Sequence, residues 1–109
     1  IKDIVIRGAI NISTAEVESL IQGHPKVREV AVIGWPDARL GERLCAVVVP
    51  REGQHITLPE LVAWLRDQAR VAVYKLPEHL LLHDGLPRNP TGKVLKRELR
   101  QLIPQESTT

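Results

Sequence analysis

Aromatic side chains are almost missing from this chain of 109 residues: Trp35, Trp64 and Tyr74 are all there are, and phenylalanine is absent. That leaves little from which to build base-stacking platforms, which argues against a nucleic-acid partner. Cysteine is scarcer still. Cys45 stands alone within the apolar run Leu44 to Val49, where it reads as a small buried hydrophobe suited to a reducing, cytoplasmic setting. No run of 18 apolar residues exists, so no transmembrane segment is expected, and no signal-peptide pattern opens the chain. A Gly-x-Ser-x-Gly nucleophile loop is absent. The four histidines, His24, His55, His79 and His83, are scattered, and no metal site is expected from them. Glu16 and Glu18, two apart on a helix, point to different sides and read as a cap and a surface residue.

What is present suits one ordinary globular domain: 43% hydrophobic and 26% charged residues. Net charge is +2, and the positive residues Lys93, Lys96, Arg97 and Arg100 gather near the end. Such a cluster reads as a solvated helix face or as a seat for a phosphorylated small ligand. The chain opens at Ile1 with no initiator methionine, which suggests a piece of something larger.

Ile4-Val5-Ile6 and Ile10-Asn11-Ile12, flanking Gly8-Ala9, read as a hairpin. Ser13-Thr14-Ala15-Glu16 is a capping box ahead of Val17, Leu20 and Ile21 at helical spacing, with Gly23 and Pro25 closing that helix. Val27 to Gly34 and Arg43 to Val49 read as strands, with Trp35-Pro36-Asp37 breaking the first. Thr57-Leu58-Pro59-Glu60 caps a second helix whose stripe is Leu58, Leu61, Val62 and Leu65. Tyr74 to Pro77 is a loop, and His79 to His83 a third strand. A last helix starts near Val94, with Leu95, Leu99, Leu102 and Ile103 on one face, and Pro104 ends it. The predicted class is α+β: a small three-stranded sheet packed by helices, with an N-terminal two-stranded hairpin. Residues 1–104 form one domain and 105–109 a frayed tail.

The chemistry is expected in Leu86-Pro87-Arg88-Asn89-Pro90-Thr91-Gly92-Lys93, a segment shaped by proline and glycine backbone that presents Lys93 just before the last helix. It is not a phosphate-binding Walker loop: six residues separate Gly85 from Gly92, and Val94 follows the lysine. One exposed lysine cannot run a reaction alone, but it can complete another domain's site as a lid does on closing.

Four blocks in order give the chain a family likeness. They are Lys2-Asp3-Ile4-Val5-Ile6-Arg7-Gly8-Ala9-Ile10-Asn11-Ile12 with Glu16-Val17-Glu18; His24-Pro25-Lys26-Val27 leading to Ala31-Val32-Ile33-Gly34-Trp35-Pro36-Asp37; Leu40-Gly41-Glu42-Arg43 running to Val49; and Tyr74-Lys75-Leu76-Pro77 leading to Leu86 through Lys93. Together they resemble the C-terminal domain of the adenylate-forming superfamily of acyl-CoA synthetases, luciferase and peptide-synthetase adenylation domains, most nearly its acyl- or aryl-CoA ligases. The resemblance implies a parent enzyme that joins a small carboxylic acid to a thiol. ATP with Mg²⁺ and coenzyme A would be bound mainly by its own large N-terminal domain.

It further implies that Lys93 is the catalytic lysine of adenylation, that Lys2 with Asp3 forms the hinge, and that Gly8, Ala9 and Tyr74 line the coenzyme A channel. Ala9 stands where the family keeps glycine, which narrows that channel, and Leu76 and Glu78 stand where some CoA ligases carry basic residues. The isolated chain is expected to be inactive. Two alternatives remain at this point: the lid of an enzyme that loads a carrier-protein thiol, and a stand-alone interaction domain using its basic helix.

Overall fold

The structure, a computed structural model, describes residues 4–7, 10–39 and 41–103. The expected hinge (Lys2, Asp3), the Gly8-Ala9 turn and the tail therefore lie outside the described residues. The order is β1 (Ile4–Arg7), β2 (Ile10–Ser13), α1 (Thr14–Gln22), β3 (Val27–Asp37), β4 (Gly41–Pro50), α2 (Leu58–Asp67), a 3-10 turn (Val73–Lys75), β5 (His79–Leu82) and α3 (Lys96–Arg100).

β4 is the centre. It pairs antiparallel with β3 and parallel with β5, giving a three-stranded mixed sheet. The antiparallel hairpin β1–β2 joins it through the pair Arg7 and Gly41. Every residue from Leu44 to Val49 is buried, as expected for a central strand covered on both faces. Leu44, Ala46 and Val48 meet Val17 and Ile21 of α1 and Leu61 and Leu65 of α2. Cys45, Val47 and Val49 face the other way, toward Leu86, Leu99 and Ile103. Burial pushes the Cys45 thiol up to about 12, so it is an inert small hydrophobe.

Both helix starts form as their sequences dictate. The Ser13 hydroxyl accepts from the Glu16 N–H at 3.3 Å, and the Thr57 hydroxyl from the Glu60 N–H at 3.3 Å, with Pro59 in the first turn. Several boundaries differ from expectation: β4 runs from Gly41 to Pro50 rather than from Arg43 to Val49, and the last helix ends at Arg100, short of Pro104. Trp35-Pro36-Asp37 does not break β3, which pairs on with Arg43, Glu42 and Gly41. β3 is an edge strand, the place in a sheet where a proline with no N–H to donate is tolerated. The last helix begins at Lys96 rather than Val94, because Val94 bridges back to Arg88 and the Leu95 N–H donates to Pro87 O at 2.8 Å. Of its expected apolar face, Leu99 and Ile103 are buried, whereas Leu102 is 46% exposed. Among the described residues no helix is long and apolar enough to cross a membrane.

Candidate functional site

The segment around Lys93 is a tight hairpin whose shape follows from its sequence. Asn89-Pro90-Thr91-Gly92 has the residue preferences of a type I turn, and the Gly92 N–H donates to Asn89 O at 2.9 Å. Gly92 has φ +91°, a left-handed conformation that favours glycine. The Asn89 side-chain oxygen accepts from Thr91 N (3.0 Å), the Thr91 hydroxyl (2.7 Å) and Lys93 N (2.9 Å). The Asn89 N–H in turn donates to Lys93 O at 2.9 Å, so both backbone polar groups of Lys93 are held by Asn89.

The side chain of Lys93 is exposed, and among the described residues no hydrogen bond or ion pair engages its ammonium. Several other cations of the domain differ. Lys26 meets Glu60 (2.6 Å), Arg43 meets Asp37 (2.6 Å) and Glu78, Lys75 meets Glu16 (2.8 Å), and Arg88 meets Glu29 (2.8 Å). Lys96 is drawn out of the expected basic cluster: its ammonium binds Glu18 at 2.8 Å and the Thr14 hydroxyl at 3.1 Å. α3 is only five residues long, and with Lys96 committed its other basic residues are Arg97 and Arg100. Glu18 is not a plain surface residue either, since it also accepts from the Val32 N–H of β3 at 2.8 Å.

Tyr74 sits apart from the hairpin, on the 3-10 turn, half-exposed, with the Lys75 ammonium 5.8 Å from its ring centre. Leu76 turns into the core and Glu78 is bound by Arg43, so neither position offers positive charge. Gly8 and Ala9 lie outside the described residues.

A cluster that sequence reasoning missed stands at the far end of the sheet. The rings of Trp35 and His79 stack at 3.8 Å and 8°, beside Asp37, Arg43 and Glu78. Burial holds His79 below the usual imidazole range; Arg43 adds to this while Glu78 and Asp37 oppose it. The hydrogen bond that the Arg43 guanidinium donates to the Asp37 carboxylate holds Arg43 above the usual guanidinium range. Among the described residues no group of three or more His, Cys, Asp or Glu side chains could hold a metal.

Comparison with known proteins gives the arrangement a context. Residues 16–93 match the family described as the AMP-binding enzyme C-terminal domain. The chain is 44% identical over 108 residues to a medium-chain fatty-acid–CoA ligase of Escherichia coli (strain K12), covering 98% of this chain and 19% of that one. It is 48% identical over 101 residues to a feruloyl-CoA synthase of Amycolatopsis sp, covering 93% and 20%. Apo MatB from Rhodopseudomonas palustris superimposes with a TM-score of 0.85 at 42% identity, over 93% of this chain and 20% of that one. The chain thus spans about one fifth of the length of the curated relatives it matches.

Proposed function

This chain belongs to the AMP-binding enzyme C-terminal domain family, and from that premise we propose that it is the mobile catalytic lid of an ATP-dependent carboxylic acid–CoA ligase, with Lys93 serving the adenylation step. The observation that carries the reading is Lys93 itself: a backbone fixed at both polar groups, and an ammonium engaged by nothing among the described residues. In the first step the substrate carboxylate attacks the α-phosphorus of ATP and pyrophosphate leaves. Negative charge is then shared by the carboxylate, the α-phosphate and the bridging oxygen, and the ammonium of Lys93 neutralises it. In the second step a thiol attacks the acyl carbon and AMP leaves.

The rest of the reading is assigned on the same premise. Lys2 and Asp3 act as the hinge on which the lid swings between the steps, and Gly8, Ala9 and Tyr74 line the pantetheine channel. The buried Leu76 and the Arg43-bound Glu78 mean that coenzyme A phosphates draw their positive charge from elsewhere. Mg²⁺ and most of the ATP contacts are assigned to the enzyme's own large N-terminal domain.

The test is ATP–pyrophosphate exchange by the intact enzyme over a panel of carboxylic acids, wild type beside Lys93→Ala. Exchange falls by about 10²–10³ in the mutant, the usual effect of removing one charge-stabilising donor, while a pre-made acyl-adenylate still reacts with coenzyme A. Unchanged exchange in Lys93→Ala makes Lys93 a surface lysine and defeats the mechanism.

A further inference from the structure

Asn89 fixes the internal shape of the hairpin but not where the hairpin stands against the sheet. One side chain does both. The Arg88 guanidinium donates from one nitrogen to Gly92 O at 2.7 Å, the carbonyl of the peptide that leads into Lys93. From the other it donates to the Glu29 carboxylate at 2.8 Å. Glu29 is fixed in turn by the register of β3, where it pairs with Val49 of the buried central strand. Arg28 extends the link: its guanidinium lies 3.7 Å from Glu29 and donates to Asp84 O at 3.1 Å. Both Asp84, two residues ahead of the segment, and the peptide before Lys93 are thereby referred to one carboxylate on the sheet.

We propose that Arg88 is a positioning residue for Lys93: through Gly92 O and Glu29 it fixes the lysine's backbone against the sheet, so that the closed lid delivers the ammonium at the reacting phosphate. The inference rests on the adenylation role given to Lys93 above. Arginine suits the task because its planar fork serves two acceptors in fixed directions, which the single nitrogen of lysine does not. The side chains of Arg88 and Glu29 are 42% and 26% exposed, and a pair so open to water contributes little to folding. Its effect is therefore geometric, and small displacements at a reacting centre are costly in rate.

The experiment uses the full-length enzyme with Arg88→Met, Arg88→Lys, Lys93→Ala and the double variant Arg88→Met/Lys93→Ala. ATP–pyrophosphate exchange is measured beside thioester formation from a pre-made acyl-adenylate and thermal melting. Arg88→Met lowers the exchange kcat by about 10-fold to 100-fold, with the KM for ATP, the melting temperature and thioester formation close to wild type. Arg88→Lys recovers only part of the loss. In the Lys93→Ala background, Arg88→Met costs nothing further, because the arginine acts through the lysine.

Wild-type exchange in Arg88→Met while Lys93→Ala collapses it overturns the positioning role and leaves the function standing. Equal loss of both half-reactions with a lowered melting temperature makes Arg88 structural, and losses that multiply in the double variant make it independent of Lys93; either outcome overturns the proposal. Undiminished exchange in Lys93→Ala removes the functional reading and this inference with it.

Discussion

The two faces of β4 are covered in different ways. Leu44, Ala46 and Val48 lie under α1 and α2, helices of nine and ten residues whose apolar stripes interlock with the strand. Cys45, Val47 and Val49 lie under a run of extended chain and a helix of five residues. One face is closed by side-chain packing. The other is closed by a smaller apolar cover, Leu86, Leu99 and Ile103, with the ion pairs Arg88–Glu29 and Lys96–Glu18 at its rim. The lysine to which we assign the chemistry stands on the thinly covered side. A two-helix layer covers one face of the sheet, and a lighter layer covers the other and presents the Lys93 loop.

The sharpest way to break this contrast is a matched pair of truncations. Leu65→Ala on the helical face is expected to cost at the upper part of the usual range of about 2–5 kcal/mol for a buried leucine, and Leu99→Ala on the other at its lower end, because a thin layer can collapse into the gap. Denaturant unfolding of the two variants decides, and equal costs would remove the distinction.

Glu18 joins the two layers around the edge of β3, and its side chain is only 24% exposed. Glu18→Ala removes the carboxylate from the Lys96 ammonium, which keeps the Thr14 hydroxyl, and leaves the Val32 N–H without its acceptor; it should cost about 1.5–3 kcal/mol. A smaller loss would show that α3 is not pinned from the helical side.

Gly92→Ala should cost about 1–2 kcal/mol, since no atom crowds the position and only its positive φ resists a side chain. Exchange activity should suffer more than the melting temperature does. The reverse would mean that the hairpin carries stability rather than chemistry.

The smallest effect is a pH dependence. His24 is 4% exposed against Trp64, and its Nδ1 accepts from the Lys26 N–H at 3.1 Å. Burial, the largest influence, holds it below the usual imidazole range; Glu60 opposes this and Lys26 adds to it. Between its folded value and about 6.5 the unfolded chain binds more protons, so this contribution to stability is complete above about pH 6.5 and declines as the pH falls. His24→Asn should flatten the decline in melting temperature between about pH 7 and pH 5. His79 is lowered too, so it adds a slope of the same sign that survives in that variant.

Local signals in the sequence were enough for much of this. Ser13 and Thr57 each cap a helix through a bond three residues long, and the unbroken apolar run of β4 announces a strand buried on both sides. The turn at Asn89 to Gly92 follows from residue preferences alone. What escaped depends on neighbours remote in the chain. Pro36 is harmless only because β3 lies at an edge, and the last helix starts late only because Val94 pairs with Arg88. Arg88 and Glu29 are 59 residues apart, Lys96 and Thr14 82 apart, and no periodicity links such pairs. The turn residues of the loop singled out Lys93 and the likeness to a known family implied its role; neither could say what holds the lysine still.

The oxygen of Asn89, shared among three donors, has a thermodynamic consequence. The loop has already given up its backbone entropy before any substrate arrives, because one side chain serves as its internal template. What remains free at Lys93 is a four-carbon arm on a stationary mount. When a phosphate comes within reach, only rotamers of that arm are left to be ordered, at most roughly 2 kcal/mol of entropy, and no segment of chain has to find its shape.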